Sequence, residues 1–298
     1  MNEQQIMQHI LQMLDLENIS TNEKNSVFQG ESMYFPTGRV YGGQVIAQSI
    51  IAASNTVSPS RLPNSIHGYF ITPGKIDEKV SFNIETLKDG RSFSSRRINA
   101  EQSHSPILTA IASFQEIGQG GFEFADPMPV NIPKPEDLPS LQQLTKPFEN
   151  ASPFADYYAN HSPFDIRHIS PNMMLNPHPT PQENGHQMVW MRTASPIENQ
   201  PQIKHRALLA LGCDQLMLEP MLRRAGIPLT TPGLSYASLD HSMWWYRNIN
   251  MSQWHLYVQD TTTAAHGRGL SHAKVYAQDG TLVAAIAQEA MIRVPQYQ

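Results

Sequence analysis

The stretch ALLALGCDQLMLEPML, residues Ala207–Leu222, is apolar almost throughout but carries an acid, Asp214, in its middle. Its length and apolar content predict a buried helix. An ionised carboxylate among leucines is unfavourable unless it is paired, hydrogen-bonded or turned toward solvent. We therefore expect Asp214 to have polar partners, a chemical role, or an outward-facing position.

The order of elements around this stretch occurs twice in the chain. In the first half Tyr41–Ala53 (YGGQVIAQSIIAA) precedes three segments with the alternating or continuous apolar character of strands. A similar series follows Ala207–Leu222, and an offset of about 171 to 175 residues aligns the two halves, for example PILTAIAS with TLVAAIAQ. FDIRHIS and GHQMVWMRTAS would supply the first strands of the second unit. Such repetition indicates a duplicated architecture.

The duplication predicts an α+β fold with two antiparallel sheets, each wrapped around a long helix. One such unit leaves an open sheet edge, so the two units are expected to pair edge to edge as a pseudo-dimer within one chain. Prolines crowd the middle of the sequence, including the run NPHPTPQENG, and disfavour regular elements there. We predict an N-terminal unit at 1–116, a proline-rich connection at 117–160 with a short helix at Leu138–Leu144, and a C-terminal unit at 161–298.

Composition narrows the functional classes. The 298 residues are 40% apolar and 16% charged with a net charge of −5, so no general attraction to nucleic acid or anionic membranes is expected. The N-terminal residues lack the continuous apolar core of a signal peptide or a membrane span. The last residues are not a peroxisomal SKL signal, and the single cysteine, Cys213, excludes an intramolecular disulfide. A cytoplasmic protein without stable membrane insertion is expected.

Common catalytic motifs are missing from the sequence. It contains no G-x-S-x-G, HExxH, paired CxxC, dinucleotide-binding or P-loop pattern, so neither a metal nor a cofactor is predicted. Asp240, His241 and Ser242 stand side by side, but adjacent strand residues point to alternating faces, which disfavours a catalytic triad. Cys213 is disfavoured as a nucleophile because the neighbouring Asp214 raises the pKa of its thiol.

Three polar residues in apolar elements remain as candidates: Asp214, Ser238 and Gln288. Each also has a purely structural explanation. Asp214 could cap a helix, Ser238 could serve as a turn hydroxyl, and Gln288 could be a core amide bonded to the backbone. The residue types alone leave both interpretations open.

The motifs in their order and spacing resemble the acyl-CoA thioesterase II family, from about Phe28 to Arg293. The motifs that carry the resemblance are GRVYGGQVIAQSIIAA, SIHGYFITPG, ETLKDGRSFSSRRINAEQ, LGCDQLML, SLDHSMWWYR, QWHLYVQDTT and RGLSHAKVYAQDGTLVAAIAQEAMIR. The resemblance implies a double hotdog fold. It also implies hydrolysis of fatty acyl-CoA to free fatty acid and CoA, without a metal or a covalent intermediate.

In that family an aspartate, a hydroxyl residue and a glutamine hold the attacking water, and these roles fall on Asp214, Ser238 and Gln288. The family more often has threonine at the hydroxyl position, so Ser238 keeps the oxygen but loses the methyl group that restricts its rotamer. At an offset of 173, Ser65 and Gln115 match Ser238 and Gln288, whereas Asp214 falls on Tyr41. One working site per chain is therefore expected.

Other residues are candidates for contact with the acyl-CoA substrate. Gly42 and Gly43 precede the first apolar helix and could supply oxyanion donors across the interface between the halves, or could serve only close packing. Four arginines could meet the phosphates of CoA or could be solvated on strand faces: Arg91, Arg96, Arg97 and Arg268.

Two other functions fit the same fold. The chain could be a catalytically weak acyl-CoA-binding or regulatory protein, or a hydratase, although no convincing His and Asp pair on a helix supports the latter. A homo-oligomer, a dimer or a tetramer, is also expected, because exposed apolar faces or edges of sheets favour symmetric association.

Overall fold

The structure is a computed structural model that describes residues 1–175 and 185–295. Its α-helices are α1 (Glu3–Met13), α2 (Gly42–Ser54), α3 (Leu141–Thr145), α4 (Pro153–Asn160), α5 (Gln202–Cys213) and α6 (Glu219–Ala225). Its strands are β1 (Glu17–Thr21), β2 (Asn25–Gly30), β3 (Arg61–Phe70), β4 (Val80–Asp89), β5 (Phe93–Gln102), β6 (Ser105–Glu116), β7 (Phe164–His168), β8 (Gln187–Thr193), β9 (Ser235–Ser238), β10 (Asp240–Trp245), β11 (His255–Ala265), β12 (Arg268–Ala277) and β13 (Leu282–Arg293).

All of these strands belong to one continuous antiparallel sheet, with the order β1-β2-β4-β5-β6-β3-β10-β13-β12-β11-β8-β7 and β9 paired to β13. The order reads as a palindrome about the β3–β10 pair, as expected for two similar halves. The structure has one sheet where two were expected, because the expected edge-to-edge pairing joins β3 to β10 by backbone hydrogen bonds, from Tyr69 opposite Asp240 to Ser65 opposite Trp244. Pairing at this seam removes one of the two open edges of each half and leaves β1 and β7 at the outer edges.

Helices α2 and α5 form the centre of the core and pack against each other. Nearly every residue of α2 is buried, and its sequence contains no charged side chain, which suits a helix enclosed on all sides. The hydroxyl of Tyr41, at the start of α2, donates to the carbonyl of Leu211 near the end of α5 at 2.8 Å. The N-terminus of α2 therefore lies beside the C-terminus of α5, and the helices run antiparallel.

The predicted helix over Ala207–Leu222 is in fact two helices. Helix α5 ends at Cys213 with Asp214 as its C-cap, and α6 begins at Glu219 with Pro220 in its first turn. Proline lacks an amide donor and its ring clashes with the carbonyl four residues earlier, so a single helix cannot continue through Pro220. The break places Asp214 at a helix end.

The other predicted elements are found close to their expected places. FDIRHIS and GHQMVWMRTAS contain β7 and β8, which pair with each other. The short helix expected at Leu138–Leu144 is α3, where Ser140 and Gln143 form a capping box. The proline-rich run at 176–185 lies outside the described residues except for Gly185.

The structure also bears on membranes and metals. In the two described ranges no helix is long and apolar enough to cross a membrane. Within the same ranges, no three His, Cys, Asp or Glu side chains are grouped closely enough to hold a metal ion.

Candidate functional site

Asp214 lies where the two central helices meet. As the C-cap of α5 it faces the N-terminus of α2, and its Oδ2 accepts a hydrogen bond from the backbone amide of Gly43 at 2.9 Å. The positive end of the α2 dipole at this point favours a negative charge. Although Asp214 is only 8% exposed, its carboxylate is therefore stabilised by the other half of the chain.

Gln288 and Ser238 complete a hydrogen-bonded triangle with Asp214. The Nε2 of Gln288 donates to Asp214 Oδ1 at 2.9 Å and to Ser238 Oγ at 2.7 Å. The hydroxyl of Ser238 donates to Asp214 Oδ1 at 3.3 Å. Strand pairing explains this arrangement, because β9 pairs with β13 so that Ser238 lies opposite Ala290, two residues from Gln288. The structure thus brings together the three polar residues singled out in the sequence.

His241 fixes the orientation of the Gln288 amide. Since Nε2 of Gln288 donates to Asp214 and Ser238, its Oε1 is the acceptor, and Nδ1 of His241 donates to it at 2.6 Å. His241 is 1% exposed, and its other ring nitrogen lies 3.7 Å from the Cys213 sulfur. The sequence favoured a local hydrogen bond for His241 over a role in a triad, but it did not identify Gln288 as the partner.

The hydrogen bonds to Asp214 leave one acceptor position of its carboxylate free for a further donor. A carboxylate offers about four acceptor positions. Those on Asp214 receive hydrogen bonds from Ser238, Gln288 and the Gly43 amide. One position on Oδ2 remains, and Asp214 and Ser238 both line a cavity. The arrangement can hold a further donor, such as a water molecule, against Oδ2.

The cavity has a volume of about 550 Å³ and is lined mainly by apolar side chains. It extends past Asp214 between the two halves of the chain. Its buried wall includes Val45, Leu141, Ile166 and Leu216. A long apolar wall with a polar centre suits a ligand that combines a reactive polar group with an alkyl chain.

Gly42 and Gly43 permit the close approach of α2 to α5. A Cβ on Gly42 would lie 2.8 Å from Asp214 Oδ2, and a Cβ on Gly43 would lie 2.6 Å from the Leu211 carbonyl oxygen. Any other residue would push the helices or the carboxylate apart. Gly43 thus serves close packing and also donates its amide to Asp214; Gly42 lines the cavity.

The predicted arginines do not line the cavity. Arg97 pairs with Glu85 at 2.6 Å and Arg268 pairs with Glu289 at 3.0 Å, both on exposed strand faces, and Arg91 is exposed. Arg96 is 2% exposed and is committed to protein partners, which corrects the idea that it meets a phosphate. The arginine that does line the cavity is Arg39, which sequence reasoning did not select.

The structure gives separate roles to the other candidates considered in the sequence. Burial, with the nearby Asp214, raises the pKa of the Cys213 thiol well above its usual value, so the thiol is protonated. Asp240 accepts from the backbone amide of Glu289, while Ser242 contacts His67. Asp240, His241 and Ser242 therefore have three different sets of partners and form no triad.

The palindromic sheet around two central helices defines the class of fold. It is shared with a protein of unknown function from Alicyclobacillus acidocaldarius that is described as having a hot dog fold. That structure is 19% identical with a TM-score of 0.69, over 95% of this chain and 97% of that one. This protein is therefore a hotdog protein whose polar centre lies beside an apolar cavity.

Sequence comparisons identify the family. Residues 32–115 match the model of the acyl-CoA thioesterase N-terminal domain, and residues 135–292 match that of the C-terminal domain. The chain is 32% identical to acyl-CoA thioesterase 2 of Haemophilus influenzae over 97% of this chain and 98% of that protein. A crystal structure of an acyl-CoA thioesterase II from Mycobacterium marinum is 33% identical with a TM-score of 0.75, covering 97% of this chain and 100% of that chain. The chain belongs to the acyl-CoA thioesterase family and so to the thioester hydrolases.

Proposed function

We propose that the protein hydrolyses fatty acyl-CoA to free fatty acid and CoA, using a water molecule activated by Asp214 and oriented by Ser238 and Gln288. The observation that carries the proposal is the hydrogen-bonded triangle of these three side chains at the wall of an apolar cavity. A triangle buried with no access to a cavity would instead favour a structural role.

The geometry suggests how the water would be held. The remaining acceptor position on Asp214 Oδ2 takes one proton of the water. Ser238 Oγ accepts from Gln288 and donates to Asp214, so its second lone pair can accept the other proton. The water oxygen is then free to attack the thioester carbonyl, and Asp214 removes its proton as the C–O bond forms. When the C–S bond breaks, that proton passes to the CoA sulfur. Base assistance of this kind contributes about 10²–10⁴ in rate.

Oxyanion stabilisation is assigned to the first turn of α2. The amide of Gly43 already donates to Asp214, so Gly42 is the better candidate for contact with the developing oxyanion. The partial positive charge at the helix N-terminus supports a negative oxygen there. In this proposal Gly43 positions the base and Gly42 faces the substrate.

The CoA phosphates are assigned to Arg39 in preference to Arg91, Arg97 and Arg268. Arg39 lines the exposed rim of the cavity and pairs through its backbone with Lys75, which brings a second cation nearby. Arg39→Gln is expected to raise KM about fivefold with little change in kcat, since a partly exposed charge contact contributes about 1 kcal/mol. If Arg97→Gln raised KM and Arg39→Gln did not, Arg97 and not Arg39 would be the residue that binds the CoA phosphates.

The proposal is tested by following thiol release from a series of acyl-CoA chain lengths. Asp214→Asn keeps the size of the side chain but removes the base, so kcat should fall by about 10²–10⁴ while the far-ultraviolet circular dichroism is unchanged. The matched control is Asn55→Ala, because Asn55 is the C-cap of α2 as Asp214 is the C-cap of α5, but Asn55 is exposed. Tight acyl-CoA binding without CoA release in the wild type would favour a binding or regulatory protein, and water addition to an enoyl-CoA would favour a hydratase.

Three broader features belong to the same proposal. We infer an N-terminal hotdog at 1–116, a connection at 117–160 and a C-terminal hotdog at 161–298 that carries the catalytic residues. We also infer a cytoplasmic location without stable membrane insertion and a homo-oligomeric state. The apolar side chains of Tyr69 and Ile111, 63% and 47% exposed on the strands beside the seam, support association between copies.

A further inference from the structure

A side chain from the first half of the chain closes the C-terminus of α5. The last four carbonyl groups of a helix have no partner within that helix. Leu211 carries one of these carbonyls, two residues before the end of α5 at Cys213. Its oxygen accepts from the hydroxyl of Tyr41 at 2.8 Å. Tyr41 is the N-cap of α2, so this hydrogen bond joins the ends of the two central helices.

The hydrogen bond of Tyr41 lies directly beside the one that holds Asp214. The amide of Gly43, two residues after Tyr41, donates to Asp214 Oδ2 at 2.9 Å. A Cβ placed on Gly43 would lie 2.6 Å from the Leu211 carbonyl oxygen and 2.7 Å from the Tyr41 hydroxyl oxygen. Two donors of the first half therefore hold two acceptors of the second half side by side.

The ring of Tyr41 is held in place by its surroundings. It is buried and stacks on Phe35, with ring centroids 4.6 Å apart and an interplanar angle of 20°. Phe35 in turn packs edge-on against Tyr157 of α4, with centroids 5.3 Å apart. Burial, with the nearby Asp214, raises the pKa of Tyr41 well above its usual value, so the hydroxyl stays protonated at neutral pH. Tyr41 is therefore a donor whose direction is fixed.

The hydrogen bond matters for Asp214 because Leu211 is buried. A buried carbonyl without a partner is unfavourable, so without the Tyr41 hydroxyl the end of α5 would shift toward another donor. Asp214 would move with it, away from the Gly43 amide. A displacement of a reacting group by about 1 Å can cost about 10² in rate.

We propose that Tyr41 is a positioning residue for Asp214. Its hydroxyl holds the end of α5 at the distance from α2 at which the Gly43 amide binds Asp214 Oδ2 and the spare acceptor position of that oxygen stays open to the cavity. The inference rests on the proposed function, since it takes Asp214 as the base. It adds that the geometry of the base is set by the half of the chain whose own helix end, at Asn55, carries no carboxylate.

Tyr41→Phe tests the proposal, because it keeps the ring and its stacking on Phe35 and removes only the hydroxyl. The kcat for the acyl-CoA that the wild type hydrolyses fastest should fall about fivefold, the factor that one hydrogen bond typically contributes, while KM stays within about twofold. The far-ultraviolet circular dichroism of the variant should match that of the wild type, which shows that the loss of rate is not a loss of folded protein.

Tyr257→Phe is the matched control. Tyr257 is also fully buried, and burial together with the nearby Cys213 raises the pKa of its hydroxyl, which places it close to the same end of α5. Its hydroxyl has no hydrogen-bond partner among the described residues. Tyr257→Phe should therefore leave kcat within about twofold of the wild type. An equal loss in both variants would overturn the role given to Tyr41, because any buried hydroxyl near α5 would then have the same effect.

A double variant separates positioning from packing. In Asp214→Asn the base is absent and its alignment no longer matters, so adding Tyr41→Phe should change the residual kcat by less than about twofold. A loss of about fivefold in both backgrounds would mean that the hydroxyl acts independently of Asp214, and it would overturn the proposal. A Tyr41→Phe variant with the kcat of the wild type would overturn it as well.

Failure of the proposed function gives a different result. If the wild type releases no CoA from any acyl-CoA, or if Asp214→Asn keeps the full rate, the hydrolytic assignment is wrong and the positioning role falls with it. Full activity of Tyr41→Phe beside an inactive Asp214→Asn refutes the positioning role alone.

Discussion

The two ends of the α2–α5 helix pair occupy corresponding places in the palindromic sheet but contain opposite chemistry. At the C-terminus of α5, Asp214 accepts three hydrogen bonds and lines the cavity. At the C-terminus of α2, next to Asn55, the buried guanidinium of Arg96 donates to the hydroxyl and the carbonyl of Thr56. One end holds a carboxylate with a spare acceptor position, and the other is closed by a cation committed to the protein.

Hydrogen bonding and charge make the closed end structural. Arg96 also pairs with Asp89 at 2.9 Å. Although desolvation opposes the effect, hydrogen bonds from Ser94 and Arg96 hold the pKa of Asp89 below its ordinary value. The comparison teaches that duplication supplied two similar helix ends, and that the side chain placed at each end decides whether it can hold a water molecule or only stabilises the fold.

The strand registers refine this comparison. The sequence offset of 173 pairs Gln288 with Gln115, but the strands indicate a different match. The alternating buried residues of β6 have even numbers, such as Leu108 and Ala110, and those of β13 also have even numbers, such as Ala284 and Ile286. Corresponding inward residues are therefore separated by an even number, so Gln115 lies on the opposite face from the counterpart of Gln288. Likewise the helix C-caps match Asp214 with Asn55 and not with Tyr41.

The largest loss of activity is expected from a substitution at Gln288. Gln288→Leu removes the donor to Asp214 and Ser238 and leaves His241 without its acceptor, so kcat should fall by about 10²–10³. Gln115→Leu is the matched control and should leave kcat within about twofold, because a partly exposed position away from a network tolerates substitution. Thiol release under saturating acyl-CoA measures both. Equal losses in the two variants would mean that the loss does not come from the hydrogen bonds of Gln288 to Asp214 and Ser238.

A substitution at the C-terminus of α2 should lower the stability of the protein and leave kcat unchanged. Arg96→Met removes the donors to Thr56 and Asp89 and leaves buried acceptors unpaired, so the free energy of unfolding should fall by about 2–3 kcal/mol. Urea unfolding followed by tryptophan fluorescence provides the measurement. The folded variant should keep the wild-type kcat, and a loss of rate without a loss of stability would argue that the α2 end takes part in the reaction.

A smaller effect is expected from His241, which acts through Gln288. His241→Leu should reduce kcat about fivefold with little change in KM, because the Gln288 amide loses the donor that fixes its orientation, a hydrogen bond of about 1 kcal/mol. In His241→Asn the side-chain Nδ2 can replace Nδ1 of the ring as donor, so most of the rate should return. If the Leu and Asn variants lost the same activity at equal stability, His241 would be no more than a packing residue.

The sequence predicted the duplicated halves, the central helices and the three polar residues, because apolar periodicity and polar residues within apolar runs are local signals. Other features depend on long-range pairing. The two units were expected to pair edge to edge, but the strands that form the seam, β3 and β10, were not predicted, because backbone contacts leave no side-chain pattern. The helix break before Pro220 was readable from the sequence, but the direction in which it turns Asp214 was not.

The arginines illustrate the same limit. Arg91, Arg96, Arg97 and Arg268 were selected because a guanidinium binds phosphate, whereas Arg39 is the one that the fold brings to the cavity. A guanidinium can bind a phosphate wherever it is placed, so residue type alone cannot distinguish these positions. Their role in CoA binding stays a prediction.

By itself the sequence determined the family, through its motifs, and it indicated two repeated units and three candidate polar side chains, through apolar periodicity and polar residues within apolar runs. Only the tertiary structure decided that Gly43 of one half donates to Asp214 of the other, and that Tyr41 donates to the Leu211 carbonyl at the end of α5. The physical reason is that hydrogen bonds and burial depend on distances between elements far apart in the chain. Those distances are set by how the helices and strands pack, which no local pattern encodes.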